Sequence, residues 1–500
     1  MRDVVVIGAG HNALVAACYL AREGLDVEVV ERDTVLGGAC STVERWPGYR
    51  VDRGSSLHVM VRFTGIVEDL GLDVKYLDLD PWAAIPYDDG RCIRLSRDLD
   101  ATCASIEAVA GSQDAAGYRR FVDEWGPKST RVMQAFSSPP TARHLGRALW
   151  RVGGGRPSGA TARDFLQPAD AVLDSHLADE HLKAALSWLG AQSGPPMHEP
   201  GTAPFLGFWA LMHSRSPGRP VGGSGELSES LGRRFRELGG TIRLGDAATS
   251  IEASGGRASA VKIASGEVIA TRAVLSGTHA VVTARLLGDE VAAAQVRVGN
   301  GVGVPVRIAS SAPLALPSAA MQLLVRDRAQ LGRAYGDYLA KQIPNDPPLL
   351  VMPHTAFDPS LAPDGRHLTT AWAQWHHYDA DFDEAAVIDG VMAQLDRASP
   401  GFSQHVEHVL VQSPHDLERE LGLLRGNVMH VEMGLDSMFA LRPLPGWSGY
   451  RAPVPGVYLC GASTHPGGGV FGASGRSAAQ VLLRDRRPTP LARVLRRPAP

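Results

Sequence analysis

Four β-branched residues, Val4 to Ile7, run straight into Gly8-Ala9-Gly10-His11-Asn12-Ala13, after which Leu14, Ala17, Cys18 and Ala21 recur at helical spacing. Residues 25 to 31 read as a second strand that ends on an acid, Glu31. Strand, tight turn, helix and second strand commit the chain to an α/β unit that holds a dinucleotide at a helix N-terminus. Gly8 makes the turn, Gly10 admits a pyrophosphate, His11 and Asn12 open the helix beside it, and Ala13 lets helix lie close to strand. Glu31, with Arg32 next to it, is placed for ribose hydroxyls, and its charge would repel a 2′-phosphate.

A chain of 500 residues, 44% hydrophobic and 21% charged, can bury a large core and favours more than one domain. The net charge of -3 gives no basic field for nucleic acid, so no nucleic-acid partner is expected. The cysteines form no CxxC pair, which fits a reducing compartment and no structural zinc. No run approaches the ~18 uninterrupted apolar residues of a spanning helix. A cytoplasmic protein is expected, with peripheral contact at a membrane left open.

The sequence then departs from a simple nicotinamide-binding domain. A second glycine pair, Gly37-Gly38, precedes Ala39 and Cys40, and Asp52-Arg53-Gly54-Ser55-Ser56 follows soon after. Near the C-terminus stands GASTHPGGGVFGASG, framed by the strand-like VYLCG and the helical SGRSAAQVLL. Together with LGGAC, GSSLH, PVGGSGELSESLGRRFRELGGTIRL and LRPLPGW, these stretches resemble the FAD-dependent phytoene desaturase family of the flavin amine oxidase-like fold. They are most similar to the branch that includes pyridine nucleotide-disulphide oxidoreductase domain-containing proteins. The resemblance implies a discontinuous Rossmann-like α/β domain for FAD, with a β-meander, and an α+β substrate domain of mixed sheet and helices. It also implies that Gly37, Gly38, Ala39, Gly54, Ser55 and Ser56 line the FAD site, and that backbone near Ala248 meets adenine. Gly461, Ala462, Gly468, Gly469 and Val470 would meet the ribityl chain and the flavin ring. Many amine oxidase relatives carry GGR where this chain has Gly37-Gly38-Ala39, a departure that weakens an amine oxidase assignment more than FAD binding.

Residues 1–75, 221–285 and 441–484 are expected to form the FAD domain, and 76–220 and 286–440 the substrate domain. Thr249 to Ala253, Ala258 to Ile263 and Val268 to Leu275 read as three meander strands, separated by SGGR and SGE turns. Helical spacing runs through FVDEWGPKSTRVMQAF and DSHLADEHLKAALSWLG, with a Gly/Pro-rich break from Gly153 to Gly159. Residues 304–312, 349–352 and 367–376 read as strands of a second sheet. The tail 485–500 is basic and Pro-rich, and reads as disordered with a weak affinity for anionic membranes.

Flavin chemistry needs a substrate held over the ring, and no separate triad is required or found. Desaturation also needs a proton acceptor. His58 and His465, which the resemblance puts near the ring, are the candidate bases, although hydrogen bonding to backbone and flavin is the favoured role for both. Trp209, with Phe208 and Met212, and Trp447 are candidate walls of an apolar substrate site. Cys40 reads as a small buried residue rather than a reactive thiol. His376-His377 would point to opposite faces of a strand, and no metal is assigned. The expected activity is removal of a hydride from an isoprenoid or acyl-like substrate, with oxygen or a quinone reoxidising the flavin. Polyene saturation, cis/trans isomerisation, amine oxidation and a non-enzymatic prenyl-lipid escort role are the alternatives.

Overall fold

The computed structural model describes residues 1–150 and 159–486. The Gly/Pro-rich break and nearly all of the basic tail therefore lie outside the described residues. The strand Val4–Ile7 is buried along its whole length and sits at the centre of a parallel five-stranded sheet. Across that sheet the order is Val457–Leu459, Val274–Ser276, Val4–Ile7, Val27–Val30 and Thr241–Arg243. Continuous Val/Leu runs suit a sheet covered on both faces. The helices His11–Arg22, Gly225–Glu237 and Ala473–Arg486 share a hydrophobic cluster with it.

The meander differs from the expected one. Ala248–Ser254, Arg257–Ile263 and Val268–Ala270 form a three-stranded antiparallel sheet, but the run to Leu275 is broken, and Val274–Ser276 pairs with Val4–Ile7 instead. Thr271 Oγ1 accepts from the Ala273 N–H at the break, where the chain leaves one sheet for the other. A single apolar run thus serves two sheets.

The second large sheet has seven strands, in the order Val406–Val411, Gly303–Ser310, His367–Gln374, Leu349–Pro353, Met321–Leu324, Ala83–Pro86 and Cys92–Leu95. Neighbours are antiparallel except Met321–Leu324 against Ala83–Pro86. Helices between residues 99 and 207 share a hydrophobic core with this sheet, and Trp82, Trp125 and Trp188 are buried in it. The single helix read across Asp174 to Gly190 is two, Ala169–His176 and Glu180–Ala191. Asp179 caps the second by accepting from the Leu182 N–H, and Asp114 accepts from the Ala178 and Asp179 N–H groups at the break. His376 and His377 stand beyond their strand, which ends at Gln374, and Trp375 takes a positive φ of 61° between them.

The helices His11–Arg22 and Ala473–Arg486 meet at one point. A β-carbon at Gly475 would stand 1.9 Å from the carbonyl oxygen of Asn12, so only glycine lets the last helix lie against the start of the first. Gly475→Ala is expected to cost about 1–3 kcal/mol or more, since backbone must move. An unchanged melting temperature would show that the helices do not meet this way.

Burial also sets the response to acid. His58, His279, His376 and His465 are each 2% exposed or less. Burial, which penalises the charged ring, lowers them to about 3 for His58 and about 4 for the others. The unfolded chain, with histidines near 6.5, takes up protons that the folded chain refuses. Their contribution to stability is complete above about pH 6.5 and is lost as the pH falls from there toward 4. Melting temperatures across that window will report it, and a flat profile would contradict the burial.

Candidate functional site

Gly8, at φ 91°, turns the chain from the first strand into the first helix. The Glu31 carboxylate closes the turn by accepting from the N–H groups of Ala9 (2.6 Å) and Asp33 (2.9 Å). Gly37 donates to the Ala9 carbonyl at 2.9 Å, which brings the second glycine pair onto the first. A β-carbon at Gly10 would meet nothing within 4 Å, so the turn faces open space. Beside it, His11 Nε2 and Asn12 Oδ1 are buried without a protein partner. An open backbone, the orphaned His11 Nε2 as a donor and a helix N-terminus fit a dinucleotide pyrophosphate, with Glu31 at the ribose. Asp246 N donates to the Glu31 carbonyl at 2.9 Å, which brings the start of the meander, and Ala248 with it, to the end of this strand. Arg32 instead reaches the carbonyls of Arg419 and Glu420 and ties the strand end to the helix Pro414–Leu421.

The C-terminal glycines divide into two kinds. Gly461 and Gly468 are pressed against protein: their β-carbons would stand 2.6 Å from the Gly277 carbonyl oxygen and from Met429. Gly469 is looser, with Phe471 at 3.7 Å, and it lines the cavity described below together with Ala462, Gly468 and Val470. Arg442 holds this loop. It is 1% exposed, and within hydrogen-bonding distance it finds only backbone carbonyls, those of Ala462 and Thr464 on one side and of Met429, Val431, Glu432 and Ser437 on the other. Burial without a carboxylate pulls its pKa down to about 9. The glycine loop and the loop of residues 429–437 are thus joined through one guanidinium.

Two more buried arginines set the segment from Arg53 to Ser56. Arg219 donates to the Ser56 carbonyl at 2.6 Å and pairs with Asp52 at 2.7 Å. Burial, the largest single influence, would raise Asp52, but the Arg219 charge together with His354 and hydrogen bonds from Thr42 and the Ser224 N–H holds it at about 2. Arg307 reaches the carbonyls of Arg53 and Gly54 and the Thr370 hydroxyl. Gly54 and Ser55, with Ala39 and Cys40, face the cavity.

That cavity has a volume of about 920 Å³. On the dinucleotide side it is walled by His11 and the segments just described. Opposite stand Phe136, Phe205, Phe208, Trp209 and Phe439, with Met429, Met433 and Met438. Among the described residues no Asp, Glu, Lys or Arg lines it. Trp209 takes its expected place and stacks on Trp82 at 5.8 Å. Met212 does not; it is fully buried in the helical core. Trp447 is likewise no cavity wall, because its ring is 3% exposed and packs with Val5, Ile7 and Leu459 behind the parallel sheet.

Neither expected base faces the cavity. His58 is fully buried, with Nδ1 at 2.8 Å from the Tyr76 hydroxyl and Nε2 at 2.8 Å from Ser224 Oγ, and Cys40 separates it from the cavity. His465 binds the Ala135 carbonyl at 3.1 Å and lies behind Phe136 and Phe439. Cys40 is 1% exposed, and burial raises its thiol to about 11, a poor nucleophile.

The cavity histidines are His11 and His430. His430 escaped the sequence reading because nothing around it forms a motif; its position depends on a turn where it adopts φ 64°. Its ring stacks on His279 at 5.2 Å, and its Nδ1 lies 3.3 Å from Ser463 Oγ. His279 Nδ1 accepts from the Val281 N–H, so its Nε2 donates to the His430 carbonyl at 3.0 Å. Burial, reinforced by His279 and Arg442, holds His430 well below the usual histidine value, and burial brings His11 to about 4. Both are neutral at pH 7.

Residues 14–483 match the family model described as flavin containing amine oxidoreductase. The pyridine nucleotide-disulfide oxidoreductase domain-containing protein 2 of Mus musculus is 31% identical over 97% of this chain and 93% of its own length. The all-trans-zeta-carotene desaturase of Myxococcus xanthus is 27% identical over 98% and 95%. A solved oxidoreductase from Methanosarcina mazei shares the fold at a TM-score of 0.66 and 18% identity, over 96% of this chain and all of that one. With a dinucleotide-binding turn and a match over nearly its whole length, the chain belongs to the flavin containing amine oxidoreductase family and is an FAD-dependent oxidoreductase.

Proposed function

We propose that the protein desaturates an extended apolar substrate, isoprenoid or acyl-like in class. The observation that carries this reading is the cavity of about 920 Å³ walled by aromatic and methionine side chains, with no charged residue among the described residues that line it. A protonated amine would enter it with no carboxylate to meet its charge, at a cost of several kcal/mol. An isoprenoid or acyl chain would instead bury its surface against rings and flexible thioethers that adapt to its shape. The similarity to a carotene desaturase supports the same reading.

Desaturation removes a hydride and a proton from neighbouring carbons. FAD, when bound, supplies the hydride acceptor. The aromatic wall orients the chain and excludes water. His430 is the group we assign to the proton: it faces the cavity, it is neutral, and Ser463 engages its Nδ1, which leaves Nε2 to receive it.

The test is the anaerobic flavin spectrum of the purified holoprotein, recorded with detergent-dispersed polyene precursors and, separately, with a panel of amines. Bleaching by the apolar chains alone is expected, and bleaching by amines alone would overturn the reading. His430→Ala should retain FAD yet slow flavin reduction by roughly 100-fold or more. A rate equal to wild type would remove His430 from the mechanism.

A further inference from the structure

The cavity described above is apolar, but not uniformly so. Ser129, Gln192 and Ser193 also line it. Ser129 belongs to the helix Ser112–Phe136 and is 3% exposed, yet its hydroxyl meets no hydrogen-bond partner among the described residues. The Ser193 hydroxyl and Gln192 Oε1 are likewise unpaired among those residues, and Gln192 Nε2 reaches only the Trp188 carbonyl, at 3.5 Å. Trp209 adds an indole N–H with no acceptor there. Trp372 shows the contrast, because its indole N–H is committed to Gln374 Oε1 at 2.6 Å.

One short helix brings these groups to the same stretch of the cavity. A β-carbon at Gly207, which ends the helix Ala203–Gly207, would stand 2.2 Å from the Trp125 ring, one turn before Ser129. A β-carbon at Gly190, two residues before Gln192, would stand 3.5 Å from the Leu206 nitrogen of that same helix. Pro204 and Phe205 on this helix line the cavity, and Trp209 follows directly. Gln192 is set by the large sheet, where Gln374 Nε2 donates to the Ala191 carbonyl at 2.6 Å. The dinucleotide end lies elsewhere: Phe136 packs on Phe471 of the glycine block at 6.0 Å, and Ser129 is two turns, about 10 Å, farther back along its helix.

We propose that this stretch is a subsite for a hydroxyl group, so that the substrate is a chain alcohol rather than a bare hydrocarbon. The inference rests on the apolar-substrate reading and narrows it. A hydrocarbon would seal these groups from water with nothing to bond, and each buried unpaired hydroxyl or amide is costly. An alcohol oxygen satisfies them in both senses: it donates to Gln192 Oε1 and accepts from a serine hydroxyl or the Trp209 N–H. Gln192 Oε1 can only accept, which a ketone or ether oxygen cannot answer. A carboxylate or phosphate would find no cation among the described residues that line the cavity.

Binding to the full-length holoprotein would be followed by quenching of tryptophan fluorescence and by the flavin difference spectrum. The probes are matched sets of chains on isoprenoid and on acyl skeletons: the alcohol, the hydrocarbon in which hydrogen replaces the hydroxyl, and the carboxylate. The alcohol is expected to bind roughly 100-fold tighter than either. Gln192→Leu with Ser129→Ala should bring alcohol and hydrocarbon together by loss of alcohol affinity, and the flavin spectrum verifies that the variant is folded. Equal affinities in the wild type, a preference for the carboxylate, or a variant that weakens both chains alike would overturn the subsite. Bleaching of the flavin by alcohol and hydrocarbon that bind equally would remove the subsite and leave desaturation standing. Selective binding of the alcohol without bleaching by any chain would do the reverse. Absence of binding by every chain would overturn both.

Discussion

The site depends on the contact of Gly475 with the Asn12 carbonyl. It seats the last helix on the first and so brings the C-terminal glycine loop to the dinucleotide turn. Without that approach the two halves of the FAD site would stand apart, and the cavity would lose the wall made by Ala462, Gly468 and Val470. A contact of this closeness admits no side chain, which is why a residue with no chemistry of its own governs where the chemistry occurs.

Around that contact, buried charge is used for shape. Arg442, Arg219 and Arg307 are each 1% exposed or less, and each spends donors on backbone carbonyls of segments that line the cavity or adjoin its lining. A guanidinium has several donors in a rigid fork, so one side chain fixes several strands of irregular backbone that no helix or sheet would hold. Among the described residues the cavity lining carries no charge, and the cost of burying arginine is met just outside it.

Much of this was legible in the sequence. The turn at Gly8 and Gly10, the acid at Glu31 and the glycine block follow from local pattern, because strand period, helix period and glycine content report what a few neighbouring residues must do. Reading failed where a residue's role depends on distant partners. His58 and His465 stand in motif-bearing segments, yet the rings turn toward Ser224 and Ala135 and away from the cavity. Trp447 sits near the final strand but on the wrong side of the sheet. Val268 to Leu275 looks like one strand, and Thr271 divides it.

The sequence by itself determined the dinucleotide unit and the α/β class, since these rest on spacings within about 30 residues, while the place of the C-terminal glycine block came from a family resemblance. Only the tertiary structure decided which side chains line the cavity. His430, the methionines beside it and the charge-free wall are assembled from segments hundreds of residues apart in sequence, held by Arg442 and by sheet packing. Local periodicity tells which face of an element is apolar, but not which other element that face will meet.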